Sequence, residues 1–240
     1  MLALLVLLGA LRLRRSQTAF SAQQNTRVIV VDAGHGGEDG GALSADGTVI
    51  ESGINLAIAL DARELLRFLG VPVVMTRTED VSIYSPGATT LRQKKVSDLK
   101  NRVALVNGTE GALLVSIHQN SLPSMPRVQG AQVFFGAVEG SDRLAASVQA
   151  ALNASVNGKT KKSERQIDSS IYLMKNVRCP AILVECGFLS NAAEAALLQT
   201  PQQQRLLAAA IVCGVLAASE RQEGEGYERE NNVFLHGMRE

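Results

Sequence analysis

Tryptophan is absent from the 240 residues, and aromatic residues amount to 4%. Stacking platforms for nucleobases or sugar rings are therefore scarce. A bulk charge of one sign is missing as well: 24 Lys and Arg stand against 23 Asp and Glu, for a net charge of +1. Such a chain has no strong field to gather a polyanion, and no nucleic-acid partner is expected. Cysteine occurs three times, at Cys179, Cys186 and Cys213, and an odd count argues against a closed disulfide framework. Cys179 and Cys186 flank one expected strand, which at ~3.3 Å per residue separates them by roughly 20 Å, too far for a bridge. Small buried side chains are the better reading of all three. No internal repeat is visible.

An apolar run long enough to span a bilayer, about 20 residues, is also lacking. The nearest approach is Met1 to Leu11, followed at once by Arg12, Arg14 and Arg15. This stretch resembles the hydrophobic part of a secretory signal or a clipped membrane anchor, although its basic residues follow the apolar run instead of preceding it. Residues 1–26 are therefore read as a signal-like or anchor-like segment, with membrane anchoring through residues 1–11 and an extracytoplasmic location. At the other end, residues 219–240 carry six Glu against three Arg and read as a charged, mobile tail.

Between them, residues 27–218 have the length for one α/β domain, and the chain's 46% hydrophobic and 20% charged residues suit a globular protein. Arg27–Asp32 (RVIVVD), Val71–Thr76, Ala112–His118 (ALLVSIH), Gly130–Phe135 and Ala181–Glu185 (AILVE) read as strands, with a short one at Ser170–Met174. Ser52–Leu69, Leu91–Asn107, Ser141–Val156, Asn191–Leu198 and Gln202–Ala218 read as helices. Strands apolar on both faces that alternate with helices predict a mostly parallel sheet flanked by helices.

Ligands of open α/β sheets gather at the carboxyl ends of the strands. His35 follows the first strand, His118 ends the third, Glu185 ends the last, and Glu51 opens the first helix. Two imidazoles and a carboxylate (His35, Glu51, His118) match the donors of a catalytic Zn²⁺, which keeps a further position open. A separate carboxylate must then move protons, and Glu185 is the candidate. It closes an apolar run, where a carboxylate is costly unless paired or bound to metal. No HExxH pattern supports the site locally. His35 and His118 also read as ordinary loop or core histidines, and Glu51 as a favourable charge at a helix N-terminus. Asn120 reads as a loop-capping amide or an orienting group, and Arg102 as a structural ion-pair partner. His236 lies in the tail and is set aside.

At these residues the sequence resembles the zinc-dependent N-acetylmuramoyl-L-alanine amidases of the amidase-3 type. The resemblance rests on VVDAGHGGEDGGA (30–42), ESGINLAIA (51–59), LLVSIHQNS (113–121) and PAILVECGFLSN (180–191), with TRTED and DLKNRVALVN between them. It implies a single amidase-3-like domain, Zn²⁺ on His35, Glu51 and His118, and Glu185 as the catalytic carboxylate. It also implies peptidoglycan as partner and hydrolysis of the amide between N-acetylmuramic acid and L-alanine, in the cell wall or spore envelope. The 116–135 and 184–191 stretches are most similar to spore cortex and germination-specific amidases, implying a part in cortex maturation and muramic lactam formation. Residues 77–102 leave no room for a long inserted blocking helix, so control is expected from an activating protein partner. A zinc peptidase acting on the peptide stem and a non-catalytic wall-binding module are the alternatives. The basic run Lys159, Lys161, Lys162 and Arg165 reads as a solvated face or as a surface for anionic wall polymers.

Overall fold

The computed structural model describes residues 27–237, with side chains as far as residue 219. The segment 1–26, expected as signal or anchor, lies outside the described residues. Val28–Ala33 forms β1, Glu51–Phe68 α1, Val73–Met75 β2, Leu91–Gly108 α2, Ala112–Asn120 β3 and Gln132–Phe135 β4. Ser141–Ser155 forms α3, Arg165–Gln166 β5, Tyr172–Asn176 α4, Ala181–Phe188 β6, Ala192–Leu198 α5 and Pro201–Gly237 α6. The six strands make one sheet in the order β2-β1-β3-β6-β4-β5. β2, β1, β3 and β6 are parallel; β4 pairs antiparallel with β6 and parallel with β5.

Strand side chains alternate between the two faces of a sheet. Ile29, Val31, Leu113, Val115, Ile117, Ile182 and Val184 meet the apolar stripes of α1, α3 and α6 in the larger core. Val30, Leu114 and Leu183 point the other way, against Val103 and Val106 of α2 and Leu173 and Met174 of α4. Both faces are covered, which is why the central strands read as unbroken apolar runs. Caps fix two of the helix starts: Thr90 and Gln93 close a capping box on α2, and Asn191 accepts from the amides of Ala193 and Glu194 at α5.

Two expectations need correction. Ser170–Met174 is not a strand. Asp168 accepts from the Ser170 amide at 2.7 Å, and the chain turns into α4. Leu173, Met174 and Val177 then reach the second core with helical spacing. The last helix also continues past Ala218 to Gly237, so the composition change at Ser219 is not a helix end.

Candidate metal centre

His35 stands in the loop after β1, Glu51 at the first turn of α1, His118 near the end of β3 and Glu185 on β6. The fold brings all four to the carboxyl edge of the parallel strands. His118 and Glu185 are in register on adjacent strands, and the pairing shifts just beyond them, between His118 and Asn120. Such an irregularity re-aims side chains at a strand end. The Leu189 amide then donates to the Asn120 carbonyl at 2.8 Å.

One donor atom from each of His35, Glu51 and His118 lies within 4.8 Å of the other two. Glu51 Oε1 is 3.0 Å from His118 Nδ1 and 3.4 Å from His35 Nε2. The imidazole rings sit edge to face, with centroids 5.0 Å apart. Glu51 is buried at 3% exposure, and backbone and side-chain donors hold it. The Ala42 amide donates to Oε2 at 2.7 Å; the Gln119 amide and Asn55 Nδ2 donate to Oε1 at 3.0 and 3.1 Å. Burial opposes ionisation, but the two imidazoles outweigh it and hold Glu51 well below the usual carboxylate range. Burial likewise disfavours charge on His35, yet Asp39 and Glu51 raise its pKa to about 9. The site thus grips a proton between carboxylates, where a cation would compete for the same donors.

The surrounding backbone leaves space only for this arrangement. A Cβ on Gly34 would stand 2.3 Å from His118 Nε2, and one on Gly41 would stand 2.5 Å from Glu51 Oε2. Neither position tolerates a larger residue while both side chains stay in place. Two imidazoles and one carboxylate form a donor set suited to Zn²⁺, so these residues fit such an ion.

Glu185 behaves differently. Its Oε2 is buried and accepts no hydrogen bond from the protein. Burial pushes its pKa up to about 7. An orphaned carboxylate oxygen beside His118 is what a group awaiting water, substrate or a cation looks like. Its neighbour Cys186 points to the opposite face and packs in the larger core, where burial raises its thiol pKa; all three cysteines are free.

Sequence reasoning missed the residues that hold the candidate ligands. His35 Nδ1 lies 3.0 Å from Asp39 Oδ2, which leaves Nε2 directed at Glu51. Gln119 Nε2 donates to Asn55 Oδ1, and Asn55 Nδ2 donates to the Gly34 carbonyl as well as to Glu51. Below them, two buried guanidiniums grip the end of β1. Arg102 donates to Asp32, to the Ala33 carbonyl and to the His35 carbonyl at 2.6–2.8 Å, and to Asp98 at 2.7 Å. Arg77 donates to the carbonyls of Ala33, Gly34 and Ser52 at 2.8–3.0 Å. Three consecutive carbonyls therefore turn inward, and His35 takes a left-handed φ of 61°, the one non-glycine residue with positive φ among those described. Arg102, read from the sequence as an ion-pair residue, fixes the backbone of a candidate ligand.

A parallel α/β sheet with such a donor set at its carboxyl edge, and an unpaired carboxylate on the next strand, is the architecture of a hydrolase. The chain belongs to the N-acetylmuramoyl-L-alanine amidase family Amidase_3, whose model matches residues 29–217. It is 38% identical over 191 residues to the germination-specific N-acetylmuramoyl-L-alanine amidase of Bacillus subtilis, covering 79% of this chain and 78% of the relative. Its fold is similar to that of the CwlD amidase from Clostridioides difficile, solved in complex with the GerS lipoprotein. That match has a TM-score of 0.77 and 37% identity, and covers 81% of this chain and 98% of that one. A second N-acetylmuramoyl-L-alanine amidase, from Clostridium difficile 630, matches with a TM-score of 0.71 and 30% identity over 82% of this chain and 98% of that one.

Proposed function

We propose that the chain is a zinc-dependent hydrolase of the amide between N-acetylmuramic acid and L-alanine in peptidoglycan. The observation that carries this reading is the convergence of the His35, Glu51 and His118 donors beside the unpaired Oε2 of Glu185. His35, Glu51 and His118 would hold the ion. A bound Zn²⁺ supplies Lewis acidity, polarising the scissile carbonyl and acidifying water toward a pKa of ~7. Glu185 takes the proton of the attacking water on its carboxylate and passes it to the departing nitrogen of L-alanine. Asp39 orients the His35 ring, and Asn55 with the Gln119 amide orients Glu51.

Likeness to a germination-specific amidase supports a role in spore cortex maturation, with muramic lactam formation as the outcome. That a relative is solved in complex with a lipoprotein supports a protein partner for this chain, and we propose that such a partner activates it. We assign residues 27–218 to catalysis, 1–26 to export or anchoring and 219–240 to a charged extension outside the catalytic unit, with action outside the cytoplasm. No helix among the described residues is long and apolar enough to cross a membrane.

Zinc content and wall-digest products of wild type and Glu185→Gln test the reading together. One zinc per chain in both, with new L-alanine amino termini from wild type alone, is the expected result. A shortened stem would mean a peptidase, and a metal-free chain would remove the central claim.

A further inference from the structure

The carboxyl edge that carries the candidate centre differs in charge between its two ends. At the β2 end the lysines are matched by acids. Lys94 Nζ lies 2.6 and 2.8 Å from the carboxylate oxygens of Glu38 and 5.0 Å from the Tyr84 ring centre, and Lys95 pairs with Asp39 at 3.3 Å. These groups border a cavity of about 180 Å³ next to the His35 loop. Mutually paired charges and the hydroxyls of Ser82 and Tyr84 leave no excess charge there and suit an uncharged sugar.

At the β4–β5 end Lys162 has Glu194 nearby, but four exposed cations are unmatched among the described residues. β4 runs antiparallel to β6 and puts Gln132 in register with Glu185, so the loops beside its start belong to the same edge as the site. Gln132 Nε2 donates to the Ser163 carbonyl at 2.8 Å, which brings the loop of residues 157–164 to that edge. Asn153 fixes this loop by donating to the Lys162 carbonyl and accepting from the Lys162 amide, and Lys162 Nζ sits 5.6 Å from the Phe188 ring centre. Arg127, Lys159, Lys161 and Arg165 are all exposed there. None of these four joins an ion pair among the described residues. Residues 121–131 hold no acid, and residues 157–165 hold Glu164 alone. A held loop with unpaired cations is a surface built for an anion.

The amide in question joins an N-acetylated glycan to a peptide that carries free carboxylates. We infer that the stem peptide lies over the β4–β5 end of the edge, where Arg127, Lys159, Lys161 and Arg165 receive its carboxylates, and that the glycan lies toward β2 and Tyr84. This inference rests on the amidase reading. It makes the β4–β5 rim a determinant of stem-peptide specificity, acting through substrate binding and not through the chemical step.

The test compares wild type with Lys159→Glu/Lys161→Glu/Arg165→Glu on two soluble muramoyl peptides, one with free stem carboxylates and one with them amidated. Wild type should show a KM about tenfold higher for the amidated substrate, the scale of a few exposed ion pairs. The triple variant should raise KM for the free-carboxylate substrate by a similar factor, keep kcat, and handle the amidated substrate as wild type does. Equal KM values for the two substrates in wild type would overturn the inference, as would a variant that lowers kcat on both alike. A defect confined to intact wall bearing phosphate polymers would assign the rim to polymer adhesion and overturn it as well. Calorimetric binding of both substrates to the Glu185→Gln chain, with and without the triple change, reads the rim without turnover. If the products formed lack L-alanine amino termini, the amidase reading fails by itself, and loss of binding preference still decides the rim.

Discussion

Glu185→Gln should abolish turnover and at the same time stabilise the metal-free protein. The carboxylate is buried with one oxygen unpartnered, and its pKa stands at about 7 against an ordinary 4.5. In the unfolded chain it ionises near its ordinary value, while in the folded chain it keeps its proton until about 7. Between those values the folded state binds more protons, so stability falls as pH rises through the window. At ~1.4 kcal/mol per pKa unit the full penalty is about 3 kcal/mol, reached above the folded pKa. A neutral carboxamide escapes that penalty but gives back part of the gain through its own unpaired atoms, so a net gain of ~1–3 kcal/mol is expected.

Urea unfolding of the chelator-treated chains at pH 4 and pH 8.5 checks this. At pH 4 both forms carry a neutral group at position 185, and their stabilities should agree closely. At pH 8.5 the variant should unfold at the higher urea concentration. Zinc should narrow the gap, because a cation nearby offsets the burial of the carboxylate. Equal stability at pH 8.5, or the same gain at pH 4, would refute the argument that Glu185 is held ionised at the expense of the fold.

Asp39→Asn should keep the fold and lower metal affinity by roughly 10–100-fold, since the His35 ring loses the carboxylate that sets its tautomer. Competition titration against a chromophoric chelator reads this, and affinity within twofold of wild type would show that the contact does not orient the ligand. Arg102→Met should cost about 3–5 kcal/mol in urea unfolding, because it strands the buried Asp32 carboxylate as well as freeing the His35 carbonyl. A loss below ~1 kcal/mol would mean the guanidinium is not what holds the end of β1.

The strands that carry the site were legible because they are buried on both faces: RVIVVD, ALLVSIH and AILVE can hardly be anything else. The direction of β4 was not, since a short apolar run looks the same in either orientation and only its pairing with β6 reveals it. His35, Glu51, His118 and Glu185 could be picked out by their place at strand and helix ends. Their supports could not, because Arg77 and Arg102 reach carbonyls 43 and 69 residues away, and no sequence period links such positions. The pattern that marks Glu185, a carboxylate closing an apolar run, recurs at Asp32 at the end of RVIVVD and points to a buried cation beside it, which is Arg102.

Asp32 and Glu185 also show how one sheet gives two like residues opposite work. Both project from the same face of neighbouring parts of the sheet, next to Ser116 and His118 on the strand between them. Burial opposes the charge of each. Asp32 has Arg102 at 2.6 Å and accepts from Ser116 and Thr76 hydroxyls at 2.6 and 2.8 Å, and its pKa is driven down. Glu185 has no such partner, and its pKa is driven up into the range where a proton can be taken and returned near neutral pH. What separates a structural carboxylate from the proposed base is therefore not depth in the sheet but the presence of a fixed cation. That is why the guanidinium sits under β1, where it locks the His35 loop, and leaves β6 free for chemistry.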